Sequence, residues 1–485
     1  MSLFRTQPVQ AFADADATAP GEVTLKRVLT ARHLIALGIG AVIGAGIFVL
    51  TGHAAATHAG PAVVLSFVIA GIACGLAGLC YAEFASMLPV SGSAYSYAYA
   101  TLGEFVAWFI GWMLVLEYTF AAATVSVGWS GYFTGLIDSI GHGLGMSLSL
   151  PLALTSAPLN VVDGRLVPTG ALINLPAVAI ATAIASLCYR GITQSAFVNS
   201  IIVLVKLVVI FLFMGFSMQF IDTSNWHPFI PESQGPGRFG WDGVLRGASI
   251  VFFAYIGFDA VSTAAQETKN PQRDMPIGIL GSLFICTLIY IAMSAVMTGI
   301  MPYSLLGTPK PVATALELYP SLGWLKTLVE IGAIAGLSSV ILVMMVGQPR
   351  IFYAMSRDGL IPPMFGRIHP TFRTPHVGTV VVGVTAVILA GLLPIGTLGE
   401  LVSMGTLLAF ATVCIGIPVL RRTRPDLPRA FRVPAAPIVG ILGAACCLYL
   451  FWKSFTENWH WMLGWIVIGM LIYFAYGRRH SKLNA

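Results

Sequence analysis

The sequence predicts an all-α integral membrane protein of twelve transmembrane helices, and three observations carry that expectation. Of 485 residues, 57% are hydrophobic and only 9% charged, with a mean hydropathy of +0.84, whereas a soluble domain carries roughly 25% charged residues. The apolar runs are about 20 residues long, the length at which a helix crosses roughly 30 Å of hydrocarbon. They lack the period-two alternation of a membrane β-barrel.

Runs bounded by Pro, Gly and charge place the spans near 33–51, 61–88, 98–135, 172–188, 197–218, 241–265, 276–300, 323–355, 377–393, 399–420, 436–452 and 460–477. The third is long enough to include an interfacial helix. Residues 1–32 form a polar tail without the apolar core and small-residue cleavage site of a signal peptide, so the first span is expected to serve as its own insertion signal. An even number of spans puts both termini on one side. With the N-terminus inside, nineteen Lys and Arg residues face the cytoplasm, among them Lys26, Arg27, Arg273, Arg421 and Arg429. Six, including Arg238, Arg246 and Lys453, face outward, and Lys206 lies within a span. Both tails, 1–32 and 478–485, are therefore expected in the cytoplasm of a multi-pass protein of the plasma or inner membrane. Trp108, Trp226, Trp241, Trp324, Trp452 and Trp461 lie near span ends, where interfacial anchoring and packing are equally good readings.

All seven cysteines fall in or at the ends of apolar runs, which suits small core residues and predicts neither disulfides nor a thiolate metal site. The nine histidines have no metal-ligand spacing; His53 and His58 are placed in the first outer loop. No basic cluster interleaved with aromatics suggests nucleic acid, and no Ser, His and Asp constellation suggests a hydrolase. The 137–171 loop reads as an irregular cover.

Two spans are punctuated by glycine in mid-membrane. The first contains Ile43, Gly44, Ala45 and Gly46; the sixth contains Phe253, Ala254, Tyr255, Ile256 and Gly257, with Asp259 just beyond. Water satisfies no loose backbone groups at that depth, so such breaks mean close helix packing or unwinding around a ligand. The two are corresponding positions if residues 33–218 (spans one to five) and 241–420 (spans six to ten) are repeats, with 436–477 added. Five is odd, so the repeats are inverted, and paired breaks in inverted repeats point to a transport site at the midplane.

The stretch from Gly38 to Val49 resembles the first-helix signature of the amino acid-polyamine-organocation superfamily. Further agreement lies in Tyr81-Ala82-Glu83 with Pro89, Gly92 and Tyr95, in Phe252 to Thr263, in Asn270 to Ile279, and in Tyr353 to Leu360. Within the superfamily the chain is similar to bacterial relatives of the cationic amino acid transporters from about Ala31 to Gly477. The resemblance implies a leucine-transporter-like 5+5 inverted repeat with spans one and six unwound, taking a substrate carboxylate on the amides around Gly44, Ala45 and Gly46. It also implies that carbonyls of Phe253, Ala254, Tyr255 and Ile256 hold the ammonium, with the Phe253 ring covering the site.

Lys206 is apolar on both sides and roughly 10–15 Å from the nearer helix end, so it is either a snorkelling lysine or a functional one. The resemblance implies that its ammonium replaces the sodium ion that sodium-coupled relatives hold between spans one, five and eight. Glu117, the other charge in mid-span, either lines the pocket or pairs with a polar neighbour. Met344 falls where the resemblance puts the eighth-helix side chain at the far end of the pocket; its bulk shortens the cavity and disfavours large cationic substrates. Asp259 either organises the unwound segment or sits idle near the interface. Glu83 reads as part of an intracellular gate or salt-bridge network.

Together these readings predict a secondary active L-amino acid transporter working by alternating access, proton-coupled and sodium-independent, with small neutral substrates such as alanine ahead of arginine and lysine. A sodium-coupled carrier, an exchanger, and a channel or receptor-like protein are the alternatives. The expected partners are the substrate and the lipid bilayer; the sequence leaves open a small membrane accessory subunit and predicts no cofactor and no metal, the proton being the coupling ion.

Overall fold

In the computed structural model of this chain, the described residues are 5–6, 29–88, 93–146, 148–162, 165–191 and 196–484. Lys26, Arg27, most of the 1–32 tail, Pro89 and Gly92 lie outside them. The architecture is all-α and multi-pass, and eight helices among the described residues are long and apolar enough to cross a membrane. Three shorter apolar helices, Ala31–Val42, Leu175–Tyr189 and His376–Leu392, accompany them.

Helix α1 (Ala31–Val42) stops at Ile43, whose backbone turns extended at φ −73° and ψ 101°. Helical structure resumes at Gly46–Leu50 and runs on through Thr51–Ala54 and Ala55–Ala59. The helical rise thus continues past the expected end at Thr51, and His53 and His58 lie in helix where a loop was expected. A 25-residue helix, α2 (Val63–Met87), follows. The expected third span divides: α3 (Ser93–Thr101) is a separate short helix, and Gly103, at φ +97°, turns the chain into α4 (Glu104–Val115). A π-turn at Leu116–Phe120 joins α4 to α5 (Ala121–Gly143).

The expected irregular loop carries an antiparallel hairpin, β1 (Leu159–Val162) with β2 (Arg165–Pro168), before α6 (Leu175–Tyr189) and α7 (Ala196–Ser217). Next, α8 (Gly240–Val251) tightens into a 3-10 turn at Phe252–Tyr255 and breaks at Ile256, again extended at φ −61° and ψ 134°. After it come α9 (Pro271–Ile300), α10 (Pro311–Glu317), α11 (Gly323–Arg357), α12 (His376–Leu392) and α13 (Ile395–Thr423). The two last expected spans form one helical run, α14 (Ala436–Ile472), interrupted at Asn458 by a non-helical φ of −115° and ψ of 20°.

The core lies around the two breaks. Apolar side chains turned to lipid, such as Phe284, Ile441 and Leu471, are exposed because hydrocarbon solvates them as well as protein does. The tryptophans separate by role: Trp241, Trp324 and Trp452 are more than half exposed, whereas Trp108 is buried and donates through Nε1 to the Gly469 carbonyl at 3.1 Å. Arg246, expected among the outward-facing basic residues, is fully buried within α8; Glu400, Glu457 and Ser454 are among the partners that compensate it, as described below.

Candidate functional site

The two breaks pack directly on one another. A Cβ on Gly46 would collide with the backbone of Ala254, and one on Gly257, which also sits at φ +115°, would come within 2.9 Å of the Ala41 carbonyl. Each break therefore supplies a glycine that lets the other chain approach. Close packing and unwinding, which the sequence left as alternatives, occur together here.

Loosened carbonyls need donors at this depth. Lys206 Nζ, on α7, donates to Gly40 O at 2.8 Å and Ile43 O at 2.9 Å, the last turn of α1. Its side chain is fully buried, which rules out snorkelling, and Gly336 of α11 leaves room for the lysine stem, because a Cβ there would lie 2.8 Å from Cε. Lys206 thus sits among α7, α1 and α11. Tyr290, on α9, places its hydroxyl 2.8 Å from Val42 O and 2.8 Å from Ala254 O, one acceptor from each break. Tyr132 donates to Phe48 O at 2.6 Å, and Thr51 Oγ1 to Gly46 O at 3.0 Å.

A small cavity of about 10 Å³ lies between the breaks, enough for about one water molecule. Gly44, Ala45 and Gly46 line it from the first break, Phe253 and Ile256 from the second, and Met344 with Val340 from α11. Ile43, Ala254 and Tyr255 are buried in the breaks without lining it; the Tyr255 hydroxyl points away to Phe67 O at 2.9 Å.

The acidic candidates fall elsewhere. Glu117 is fully buried on the π-turn, outside the cavity lining, and neither of its carboxyl oxygens has a hydrogen-bond partner among the described residues. Asp259, also buried, accepts from Tyr118 Oη at 3.0 Å and Ser93 Oγ at 3.4 Å, tying the segment after the second break to α3 and to the turn bearing Glu117. Glu83 forms a bidentate pair with Arg421 of α13, 2.9 Å to Nε and 2.5 Å to Nη2, accepts from Val433 N at 2.7 Å, and has Arg429 at 3.5 Å. Tyr95 and Asp358, from two of the motifs quoted above, meet at 2.6 Å. Burial pushes the Asp358 carboxyl above its usual range, and the Tyr95 hydroxyl partly offsets the rise.

Sequence reasoning missed Tyr290, one tyrosine among 15 with no local signature. It also missed the polar cluster of Arg246, Glu400, Glu457 and Asn458. Arg246 Nη2 lies 2.6 Å from Glu400 and 3.0 Å from Glu457, Nη1 lies 2.6 Å from Ser454, and Asn458 donates to Glu400. An arginine inside the sixth span was the available signal.

A multi-pass helical bundle whose two interrupted helices enclose a cavity is a membrane transporter's architecture. The chain belongs to the amino acid permease family, which matches residues 29–475, and is thus a transmembrane transporter of the amino acid-polyamine-organocation superfamily rather than an enzyme. Along its full length it is 44% identical to the methylthioribose transporter of Bacillus subtilis (strain 168) and 46% identical to that organism's branched-chain amino acid permease BcaP, covering 99% of each. It is 38% identical to the vacuolar cationic amino acid transporter 4 of Arabidopsis thaliana over 84% of this chain and 65% of that protein.

Proposed function

We propose that this protein is a secondary active carrier of neutral, apolar L-amino acids, from alanine to the branched-chain residues, driven by protons and independent of sodium. The observation that carries the reading is the cavity lined by residues of both breaks, with Met344 across from them; closed to the size of one water here, it admits a substrate only when the two breaks move apart. In this reading the amides that open the Gly46–Leu50 turn take the carboxylate, and the carbonyls ending α8 and its 3-10 turn take the ammonium. Fixed helix-end dipoles thus meet both substrate charges without a free charge in hydrocarbon. The side-chain end is apolar and short, and among the described residues no carboxylate lines it, which favours neutral over cationic side chains. The branched-chain solutes named for the Bacillus subtilis relative BcaP agree with that chemistry.

For coupling, the ammonium of Lys206 takes the part that the resemblance assigns to sodium in sodium-coupled carriers; it is bonded to the carbonyls of Gly40 and Ile43. Proton loss from Lys206 removes the charge that strengthens both bonds and loosens the end of α1, so protonation and the conformation of the first break are linked. No metal or cofactor enters this cycle. The architecture that suits it is twelve spans, with 33–218 and 241–420 as inverted repeats, in a plasma membrane with both termini cytoplasmic. Support for the repeat comes from the breaks themselves, each an extended isoleucine followed by glycine, Ile43-Gly44 and Ile256-Gly257. In the same reading, Glu83 with Arg421 closes the cytoplasmic side and Asp259 steadies the segment after the second break.

The test is thermal stabilisation of the purified protein by each of the twenty amino acids and by methylthioribose, followed by uptake into proteoliposomes. Alanine, valine, leucine or isoleucine is expected to stabilise the protein, and an inward proton gradient without sodium to drive uptake. Stabilisation by arginine and lysine alone, or by methylthioribose alone, overturns the substrate assignment. Uptake that requires sodium and ignores the proton gradient overturns the coupling.

A further inference from the structure

We infer that His53, His58 and Glu400 form a binding site for a divalent transition-metal ion of the zinc type, spanning the first broken helix and α13. The ligand atoms of these three residues lie within 4.8 Å of one another. A zinc ion bound at about 2.0–2.1 Å by tetrahedral ligands requires them roughly 3.3 Å apart, so side-chain adjustments of about an ångström close the site. Two imidazoles and one carboxylate, with further positions open to water, are a ligand set that zinc and its neighbours in the first transition row accept.

Local structure explains why this pair of histidines escapes a search for metal-binding spacings. Five residues apart, they diverge on a regular α-helix. The π-turn at Ala55–Ala59 widens the helix toward an i to i+5 repeat and returns His58 to the face of His53, where the rings meet at 6.2 Å between centroids.

The surroundings are those of a ligand set held in place. His58 Nδ1 lies 2.7 Å from Gly237 O. A carbonyl only accepts, so Nδ1 carries the proton and Nε2 keeps its lone pair, the same outer hydrogen bond that orients metal-binding histidines generally. Glu400 is positioned through Oε2 by Arg246 at 2.6 Å and by Asn458. Arg246 places a positive charge next to the site, but it also pairs with Glu457 at 3.0 Å. Counted with Lys453 and Arg238, Arg246 balances Glu400, Glu457 and Asp242, so the surroundings are formally neutral when both imidazoles are neutral.

Bound metal would pin the outer half of the first broken helix to α13 and, through Arg246, to α8. That consequence rests on the alternating-access reading, in which these elements separate; the binding site itself does not. The experiment therefore has two readouts on the full chain with any affinity tag removed. Equilibrium dialysis against Zn2+, with the visible absorption of Co2+ as an independent probe of nitrogen and oxygen ligation, is expected to give one saturable site per chain. The variants His53→Ala and His58→Gln are expected to weaken it by more than about tenfold, while retaining amino-acid-dependent thermal stabilisation. Zn2+ is expected to slow uptake by the wild type and not by either variant. Absence of saturable binding to the wild type, or unchanged affinity in both variants, overturns the site. Binding without any effect on uptake overturns only the pinning.

Discussion

Lys206 and the glycines show how much a single side chain, or the lack of one, decides here. Removing the ammonium leaves the Gly40 and Ile43 carbonyls buried without a donor, at a cost of roughly 1–3 kcal/mol for each unsatisfied group. Lys206→Ala is therefore expected to lower the melting temperature and to abolish proton-driven accumulation in proteoliposomes; full proton-driven uptake by the variant would contradict its role. The glycines of the first break are not equivalent. A Cβ on Gly44 would meet only the Val340 side chain, at 3.2 Å, whereas one on Gly46 meets the Ala254 backbone. A side chain can rotate and a backbone cannot. Gly46→Ala is expected to lose uptake and stability together, whereas Gly44→Ala is expected to keep most of its stability and to lose uptake, since Gly44 and Val340 both line the cavity, as measured by uptake and thermal denaturation. The sequence marked the two glycines as one motif, because which neighbour each faces is set by residues some two to three hundred positions away.

At the scale of elements, the breaks exist because their carbonyls are claimed from outside the helix. Lys206 takes those of α1, and Tyr290 bridges Val42 and Ala254, one carbonyl from each broken helix. A hydroxyl has one proton, so Tyr290 serves one break at a time and couples them. Tyr290→Phe preserves the ring packing against Phe67 and Tyr255 and removes only that bridge. We expect a loss of about 1 kcal/mol in stability and a fall in uptake rate larger than that loss of folded protein explains, which uptake normalised to folded protein would reveal. Glycine in mid-membrane made both breaks legible in the sequence. Their clasp was illegible, since a tyrosine in an apolar helix carries no local sign of what its hydroxyl reaches.

Across the whole molecule, a few buried ion pairs join distant parts of the chain. Glu83 ties α2 to the end of α13 and the segment beyond it, while Arg246 ties α8 to α13 and α14. Breaking a fully buried pair costs about 3–5 kcal/mol; Arg421 is 28% exposed, so Glu83→Gln is expected to cost less, about 1–3 kcal/mol, read as a lower melting temperature whose deficit shrinks at high salt. By itself the sequence determined the helical membrane class, the family, the place of both breaks and the candidacy of Lys206. The class, the breaks and Lys206 follow from the length of apolar runs and from the rarity of glycines and charges in them, and the family from the resemblance of the quoted motifs, all properties of short windows. Only the tertiary structure decided that the breaks pack against each other, that Glu117 stands apart from the cavity, that Arg246 is buried, and that His53, His58 and Glu400 converge. Those outcomes depend on which faces of separate helices meet, and that is fixed by packing between segments far apart in the chain.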